Sequence, residues 1–266
     1  MTDPLDAFDL DGRVAVITGA GSGIGEASAR MLAAVGAELV CADLDLDAAE
    51  RVADAIRDDG GRARAARCDV SVRDEVDDLV ERVFADLGHV DVMGNIAGIM
   101  HESLVVDTKE DDLDRVLGIN LKGVFFGCQA AARVMIEQGS GSIINMSSGA
   151  IDVAAPNIVC YAMAKAAVAQ LTKTLAVEVG PLGVRVNAIA PGFIITGMTG
   201  RHWRRPDGTI DEDLLEQVTA PMRERSTLGR VGNPDDIAYA VLYLASDAAD
   251  FMTGQILRPN GGVAMP

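Results

Sequence analysis

The sequence predicts an α/β fold, doubly wound, in which about seven parallel strands form one sheet with helices on both faces. Two observations predict it. Strand-length apolar runs alternate with helical stretches down the whole chain, which is the pattern of strands joined by crossover helices. The runs are also apolar throughout, not apolar at every second residue, as expected of strands covered on both sides.

Taken in order, Arg13 to Thr18 (RVAVIT) reads as the first strand. Glycines follow it, then an amphipathic helix from about Ile24 to Val35. Glu38 to Asp43 (ELVCAD) is the second strand, and Leu46, Ala49, Val52 and Ile56 give the next helix one apolar face at spacings of three and four. A strand is expected near Ala63 to Cys68, and a helical stripe runs from Val72 through Val76, Leu79, Val80, Val83 and Phe84 to Leu87. Val90 to Asn95 is a strand, about Asp112 to Gln138 a long helix, and Gly141 to Met146 a strand. Helix is expected from about Asn157 to Val179, and Val184 to Ile189 is a strand. A helix opens near Pro234 with Asn233 as its cap, since proline suits the first helical position and asparagine the position before it. Gln255 to Leu257 is a short last strand. With no linker, repeat or low-complexity tract, residues 1–266 read as a single domain. The segment 197–232 breaks the rhythm: it is polar, rich in arginine and longer than an ordinary connection, and it reads as a substrate lid.

The bulk properties exclude several classes. Of the 266 residues 49% are hydrophobic and 24% charged, an ordinary globular balance. A net charge of −17 repels phosphate backbones and anionic lipid, so neither nucleic acid nor a membrane surface is an expected partner. No apolar run approaches a membrane span, and the opening MTDPLDAFDLDGR has no basic, apolar character of a secretion signal. A cytoplasmic protein is expected. Cys41, Cys68, Cys128 and Cys160 form no CxxC pair, and with only three histidines there is no metal-ligand spacing. Reduced thiols and no metal are expected.

The chemistry starts at Thr18-Gly19-Ala20-Gly21-Ser22-Gly23-Ile24-Gly25. Glycines between a strand and a helix permit a tight turn and close approach of a pyrophosphate, which the helix N-terminus then attracts. No GxxxxGK[ST] is present, which excludes a nucleoside-triphosphate loop. Asp43 ends the second strand 18 residues after Gly25. A carboxylate there accepts from both hydroxyls of an adenosine ribose and repels a 2′-phosphate. With no cation between Cys41 and Asp47, and serine at position 22, NAD is favoured over NADP. Asp43 as a helix cap is the alternative, for which Asp45 is better placed. This is the strand–glycine loop–helix opening of a Rossmann-type fold.

Tyr161 and Lys165 are four apart in a predicted helix, which puts both on one face with Cβ atoms about 5–6 Å apart. A nearby ammonium favours phenolate, so such a tyrosine can exchange a proton with an alcohol or carbonyl oxygen. Taken alone the pair is an ordinary solvated helix face.

Together these residues resemble the short-chain dehydrogenase/reductase family, over essentially the whole chain and in the family's order. TGAGSGIG is similar to its cofactor loop, with Gly19, Gly23 and Gly25 as the motif glycines and Ser22 and Ile24 between them. Asp69 and Val70 match the adenine-contacting segment, and Asn95-Ile96-Ala97-Gly98 matches the family's NNAG except at Ile96. Pro191-Gly192, with Ile194 and Thr196 after it, matches the segment at the nicotinamide end; Asn260 replaces a usual Asp near the C-terminus. The resemblance implies a catalytic set of Asn120, Ser148, Tyr161 and Lys165, with Ser148 thirteen residues before Tyr161. It implies that Tyr161 moves the proton, that Lys165 also grips the nicotinamide ribose, that Ser148 stabilises the reacting oxygen and that Asn120 holds a relay water. The activity implied is hydride transfer between NAD(H) and a small-molecule secondary alcohol or ketone, in a homotetramer. Two alternatives stay open. One is an NADPH-dependent 3-oxoacyl-thioester reductase; the other is a non-catalytic NAD-binding regulatory protein, against which all four catalytic matches stand.

Several residues have a plainer reading beside the functional one. Ser147 and Ser148 suit a strand-end turn, Asp69 a turn, Asn95 a strand tie, and Asn120 a core amide bonded to backbone. Cys160 points away from Tyr161 and has no expected role. Pocket walls are expected from Ile99 to Glu102, Gly149 to Ala154, Asn157 and the lid. Trp203 suits either a pocket wall or an anchor. Arg201, Arg204 and Arg205, with Arg223, Arg225 and Arg230 behind, reverse the chain's charge locally. They suit either recognition of an anionic substrate group or a solvated loop.

Overall fold

The computed structural model describes residues 3–205 and 207–266; Met1, Thr2 and, inside the 197–232 segment, Pro206 lie outside the described residues. Strands β1 (Val14–Thr18), β2 (Glu38–Asp43), β3 (Arg62–Arg67), β4 (Val92–Asn95), β5 (Gly141–Met146), β6 (Val184–Ile189) and β7 (Ile256–Leu257) form one parallel sheet in the order β3-β2-β1-β4-β5-β6-β7. The order runs outward from β1 to β3 and then reverses from β4 to β7. The reversal leaves a crevice between the carboxyl ends of β1 and β4, where Thr18 and Asn95 are register partners.

Side chains of β1 alternate between two cores. Ala15 and Ile17 face α1 (Gly23–Ala34), α2 (Leu46–Asp58) and α9 (Pro234–Ala245), whose Leu32, Val52 and Val241 share that core. Val14 and Val16 face α3 (Arg73–Leu87), α5 (Val124–Gln138) and α6 (Val159–Val179), through Val76, Val80, Met135 and Val168. Both faces are covered, so the all-apolar strands have somewhere to go. β3 sits at the sheet edge, and its arginines turn to carboxylates: Arg62 to Asp11, Arg64 to Glu38 and Arg67 to Glu75. Charge on an edge strand blocks further pairing. Among the described residues no helix is long and apolar enough to cross a membrane.

Several element boundaries differ from the expected ones, most by a single residue, and four of the differences have a local reason. β4 starts at Val92 because the Gln138 side chain occupies both backbone groups of Val90, at 2.8 and 3.0 Å. α6 starts at Val159 because Asn157 takes a left-handed φ of 68°, and its carbonyl accepts from Ser103 N–H at 2.9 Å. The stripe's first residue, Val72, is the exposed cap of α3 and not part of its buried face. The long helix begins at Glu110 and is interrupted: α4 (Glu110–Leu117) and α5 are joined by a π-helical turn, Gly118–Gly123, that contains Asn120. Such wide turns gather at functional sites. Asn233 caps α9 as expected, in a reciprocal box with Asp236. The segment 197–232 contains α7 (Gly197–Gly200) and α8 (Glu212–Arg225).

Candidate active site

A cleft of about 880 Å³ opens at the carboxyl ends of the central strands. One end is the glycine loop. Gly25 lies against it so closely that a Cβ would stand 2.0 Å from the Gly19 carbonyl oxygen, which is why no other residue fits there. Gly21 donates its N–H to Asp43 Oδ2 at 2.9 Å, and the other carboxylate oxygen accepts from Asp45 N–H at 3.1 Å. Asp43 therefore holds the loop shape from β2 and still faces the cleft. Asp45, as expected, is the cap of α2, accepting from Ala48 N–H. Ser22, Gly23 and Ile24 line the cleft with the first turn of α1 behind them, where N–H groups and the helix dipole favour an anion.

Asp69 and Val70 line the same end. Asp69 also serves as a turn residue, since its Oδ1 accepts from the N–H and hydroxyl of Ser71 at 2.9 and 2.6 Å. Cys68 lines the wall beside them; burial, then Glu75 and Asp69, push its thiol up to about 11, so it is no nucleophile at neutral pH. At the crevice, Thr18 donates to Gly94 O and accepts from Ile96 and Ala97 N–H at 3.1 and 3.3 Å, which aims Ala97 and Gly98 into the cleft. Asn95 is not on the wall. It lies beneath it, donating to Asn145 Oδ1 at 2.9 Å, and Asn145 in turn donates to Thr172 Oγ1 at 3.0 Å. The strand-tie reading describes its contacts.

Ser148, Tyr161 and Lys165 meet on the wall built by the end of β5 and the first turns of α6. Ser148 Oγ accepts from Ala150 N–H at 3.1 Å, which fixes it in the turn after β5. Ser147 points the other way, donating to the Lys165 carbonyl at 3.0 Å and tying β5 to α6. Lys165 is 2% exposed, its Nζ donates to Met146 O at 2.7 Å, and it stands 5.5 Å from the centre of the Tyr161 ring. Burial lowers its pKa to about 8. Tyr161 is raised, not lowered, in the free chain: burial dominates, and the Ser148 hydroxyl only partly offsets it. Lys165, 5.5 Å from the ring centre, does not offset that burial in the free chain. Asn120 is fully buried behind the wall, and its amide bonds both backbone groups of Ile99 at 2.8 Å. Its side chain thus positions the loop after β4.

The remaining wall comes from Pro191, Gly192, Ile194 and Thr196 after β6 and from 197–232 above them. Thr196 caps α7 in a reciprocal box with Thr199. Trp203 is 2% exposed against Phe193, an anchor and not a pocket wall. Ile99, Met100, Glu102, Gly149, Ala150 and Val153 line the cleft as expected. Other expected wall residues turn away: Asp152 pairs with Arg258 at 2.7 Å, and His101 faces Asp112. Of the six arginines, Arg201 and Arg225 reach the cleft. Arg205 is paired to Asp211, Arg223 to Glu216 and Arg230 to Asp236.

Residues 19–264 match the family described as enoyl-(acyl carrier protein) reductase. The chain is 38% identical over 259 residues to the 3-oxoacyl-[acyl-carrier-protein] reductase FabG of Thermotoga maritima, covering 96% of this chain and 99% of that protein. The chain belongs to the short-chain dehydrogenase/reductase family. Two solved structures of such dehydrogenases are similar throughout. A gluconate 5-dehydrogenase from Burkholderia cenocepacia, in complex with NADP and tartrate, gives a TM-score of 0.89 at 36% identity, covering 98% of each chain. A 7α-hydroxysteroid dehydrogenase, complexed with NADH and 7-oxo glycochenodeoxycholic acid, gives the same score, identity and coverage. These relatives are dehydrogenases and reductases of alcohol and ketone groups, and the chain is an oxidoreductase of that family.

Sequence reasoning missed several residues that shape this dehydrogenase/reductase site. Asn145 looks like an ordinary strand residue and Thr18 reads only as the start of the loop motif; the sheet shows what they hold. Gly21 falls between the motif glycines, yet a Cβ there would stand 2.9 Å from Asp43 Oδ2. Arg51 lies outside the window searched for a cation, and its guanidinium reaches back from α2 to donate to Gly21 O at 2.7 Å. The tail residues Asn260, Val263 and Ala264 close the cleft from the C-terminal end.

Proposed function

We propose that the protein is an NAD-preferring dehydrogenase that interconverts a small secondary alcohol and its ketone, with Tyr161 as general acid and base. The observation that carries this is the convergence of Ser148, Tyr161 and Lys165 on the wall of a cleft whose far end is the glycine loop and Asp43.

The residues fit a dinucleotide. The loop has glycine where a Cβ would meet the Gly19 carbonyl oxygen, and the start of α1 and the Asp43 carboxylate face the cleft. Gly19, Ser22, Gly23, Ile24 and Gly25 would hold the pyrophosphate and Asp43 the adenosine ribose, with Asp69 and Val70 at the adenine. Ala97, Gly98, Pro191, Gly192, Ile194 and Thr196 would flank the nicotinamide half. When bound, the cofactor supplies the hydride chemistry. Asp43 supports NAD; Arg51, which reaches that end from α2, is engaged with the Gly21 carbonyl.

The chain's own residues manage the proton. Burial keeps Tyr161 a phenol in the free chain, the form that gives a proton to a ketone oxygen. To take a proton from an alcohol it needs a cation close by, and Lys165 is the one at hand. The Ser148 hydroxyl steadies charge on the reacting oxygen. Asn120 acts as a positioning residue through Ile99. The segment 197–232 serves as the substrate lid. We also assign a cytoplasmic homotetramer, supported by free buried thiols and by exposed apolar residues on α5 and α6, Phe125 and Met163 among them. Light scattering giving a monomer mass would refute the tetramer.

Reduction of a 3-oxoacyl thioester with NADPH is the second reading, favoured by the identity to FabG. Fluorescence titration with NADH and NADPH separates the two. NADH binding at least about tenfold tighter, roughly 1.4 kcal/mol, is expected. Equal or tighter NADPH binding would put the thioester reductase first.

A further inference from the structure

Resting on the dehydrogenase assignment above, we propose that Arg225 binds a carboxylate on the substrate, so that this enzyme takes hydroxy acids with an apolar body. Val218, Met222 and Arg225 stand at i, i+4 and i+7 on α8, and all three line the cleft. The helix thus presents two apolar side chains and then one guanidinium, over about 10 Å of its length. Met100, Val153, Pro156 and Val263 extend the apolar surface on the other walls. A substrate seated there meets hydrocarbon first and a cation at its far end.

Arg225 combines two features that no other arginine of the segment 197–232 combines among the described residues: it lines the cleft, and it pairs with no carboxylate. Arg201 is paired to Glu102, Arg205 to Asp211, Arg223 to Glu216 and Arg230 to Asp236, but among the described residues no carboxylate pairs with Arg225. In a chain of net charge −17, a cleft arginine left without a carboxylate is a site for one from outside. The planar guanidinium suits a carboxylate in bidentate geometry. Glu102, a cleft-lining acid, is already paired to Arg201 and stands 3.4 Å from His202, so it does not oppose a single negative charge. A phosphate dianion would need more cations than one arginine, against the field of an acidic protein. A last-turn arginine also complements the dipole of its own helix, but that role does not distinguish an acid from an amide.

The probes are cyclohexanols bearing a 4-acetate, 4-propanoate or 4-butanoate chain, each with its neutral primary amide. Each pair is measured for binding to the NADH complex by calorimetry and for oxidation with NAD⁺. At least one acid is expected to beat its amide about tenfold or more in Kd and in kcat/KM, a difference of 1.4 kcal/mol, with the effect in KM. Arg225→Gln should bring that ratio close to one, Arg225→Lys should restore part of it, and Arg204→Gln should keep it. No acid outbinding its amide overturns the proposal, as does a ratio that survives Arg225→Gln. Oxidation of the amides and acids alike would overturn Arg225 and leave the dehydrogenase assignment standing. Acid-selective binding through Arg225 without turnover of any alcohol would support the site and count against that assignment.

Discussion

Lys165→Met isolates what the active-site lysine costs the fold. The ammonium is buried against Met146 and the Tyr161 ring, with one hydrogen bond, to Met146 O. Its pKa falls from 10.5 to about 8. That difference makes the folded state on the order of 3 kcal/mol less stable below about pH 8 than it would be with a neutral amine. The sign follows from the protons bound. Between about pH 8 and 10.5 the unfolded chain holds this proton and the folded chain does not, so wild-type stability rises with pH across that window. Methionine fills similar space and removes the charge, at the expense of a hydrogen bond worth about 1 kcal/mol. The variant should therefore be more stable by about 2 kcal/mol at pH 7, or roughly 4–8 °C in Tm for a chain of this size. By pH 10 the gap should have closed. The assay is thermal melting of the cofactor-free protein, followed by circular dichroism at pH 7 and pH 10. A variant that melts below wild type at pH 7, or a gap that does not narrow with pH, would refute the reasoning.

Other variants test the remaining parts. Tyr161→Phe should lose at least about 10²-fold in turnover and still bind NADH, read by steady-state kinetics beside a fluorescence titration; near-wild-type turnover removes Tyr161 as the proton carrier. Asp43→Ala removes the acceptor of the Gly21 and Asp45 N–H groups and the ribose reader. NADH affinity should fall about 10- to 100-fold, at 1.5–3 kcal/mol for hydrogen bonds to a charged group, and NADPH affinity much less. Equal losses would mean that Asp43 only shapes the loop. Gly25→Ala forces a methyl group to within 2.0 Å of the Gly19 carbonyl oxygen. Its NADH binding should be lost or its Tm lowered, and a variant unchanged in both would contradict the packing described. Asn145→Ala leaves Asn95 without its main buried partner, at about 2–3 kcal/mol, a Tm drop on the order of 5–10 °C in a calorimetric scan.

The alternation of apolar runs with helical stripes determined the layered fold, because the central strands of this sheet are buried on both faces and the crossover helices carry apolar stripes. β2, β5 and β6 run Glu38–Asp43, Gly141–Met146 and Val184–Ile189 as read from the chain, and Asn233 caps α9. The glycine loop and the Tyr161–Lys165 pair are equally local, one needing consecutive backbone freedom and the other four residues of helix. What lies between distant segments was decided by the tertiary structure alone. Asn120 and Asn95 read as site residues, and where they sit came from the sheet and the π-helical turn, which bury both beneath the wall. The six arginines of 197–232 look alike in sequence; only their carboxylate partners and their place relative to the cleft, taken together, separate Arg225 from the rest. The sign of the Tyr161 shift was likewise out of reach, because spacing brings an ammonium near a phenol but says nothing of how much water the two lose. Local spacing sets which groups are available, and desolvation and long-range pairing set what each of them does.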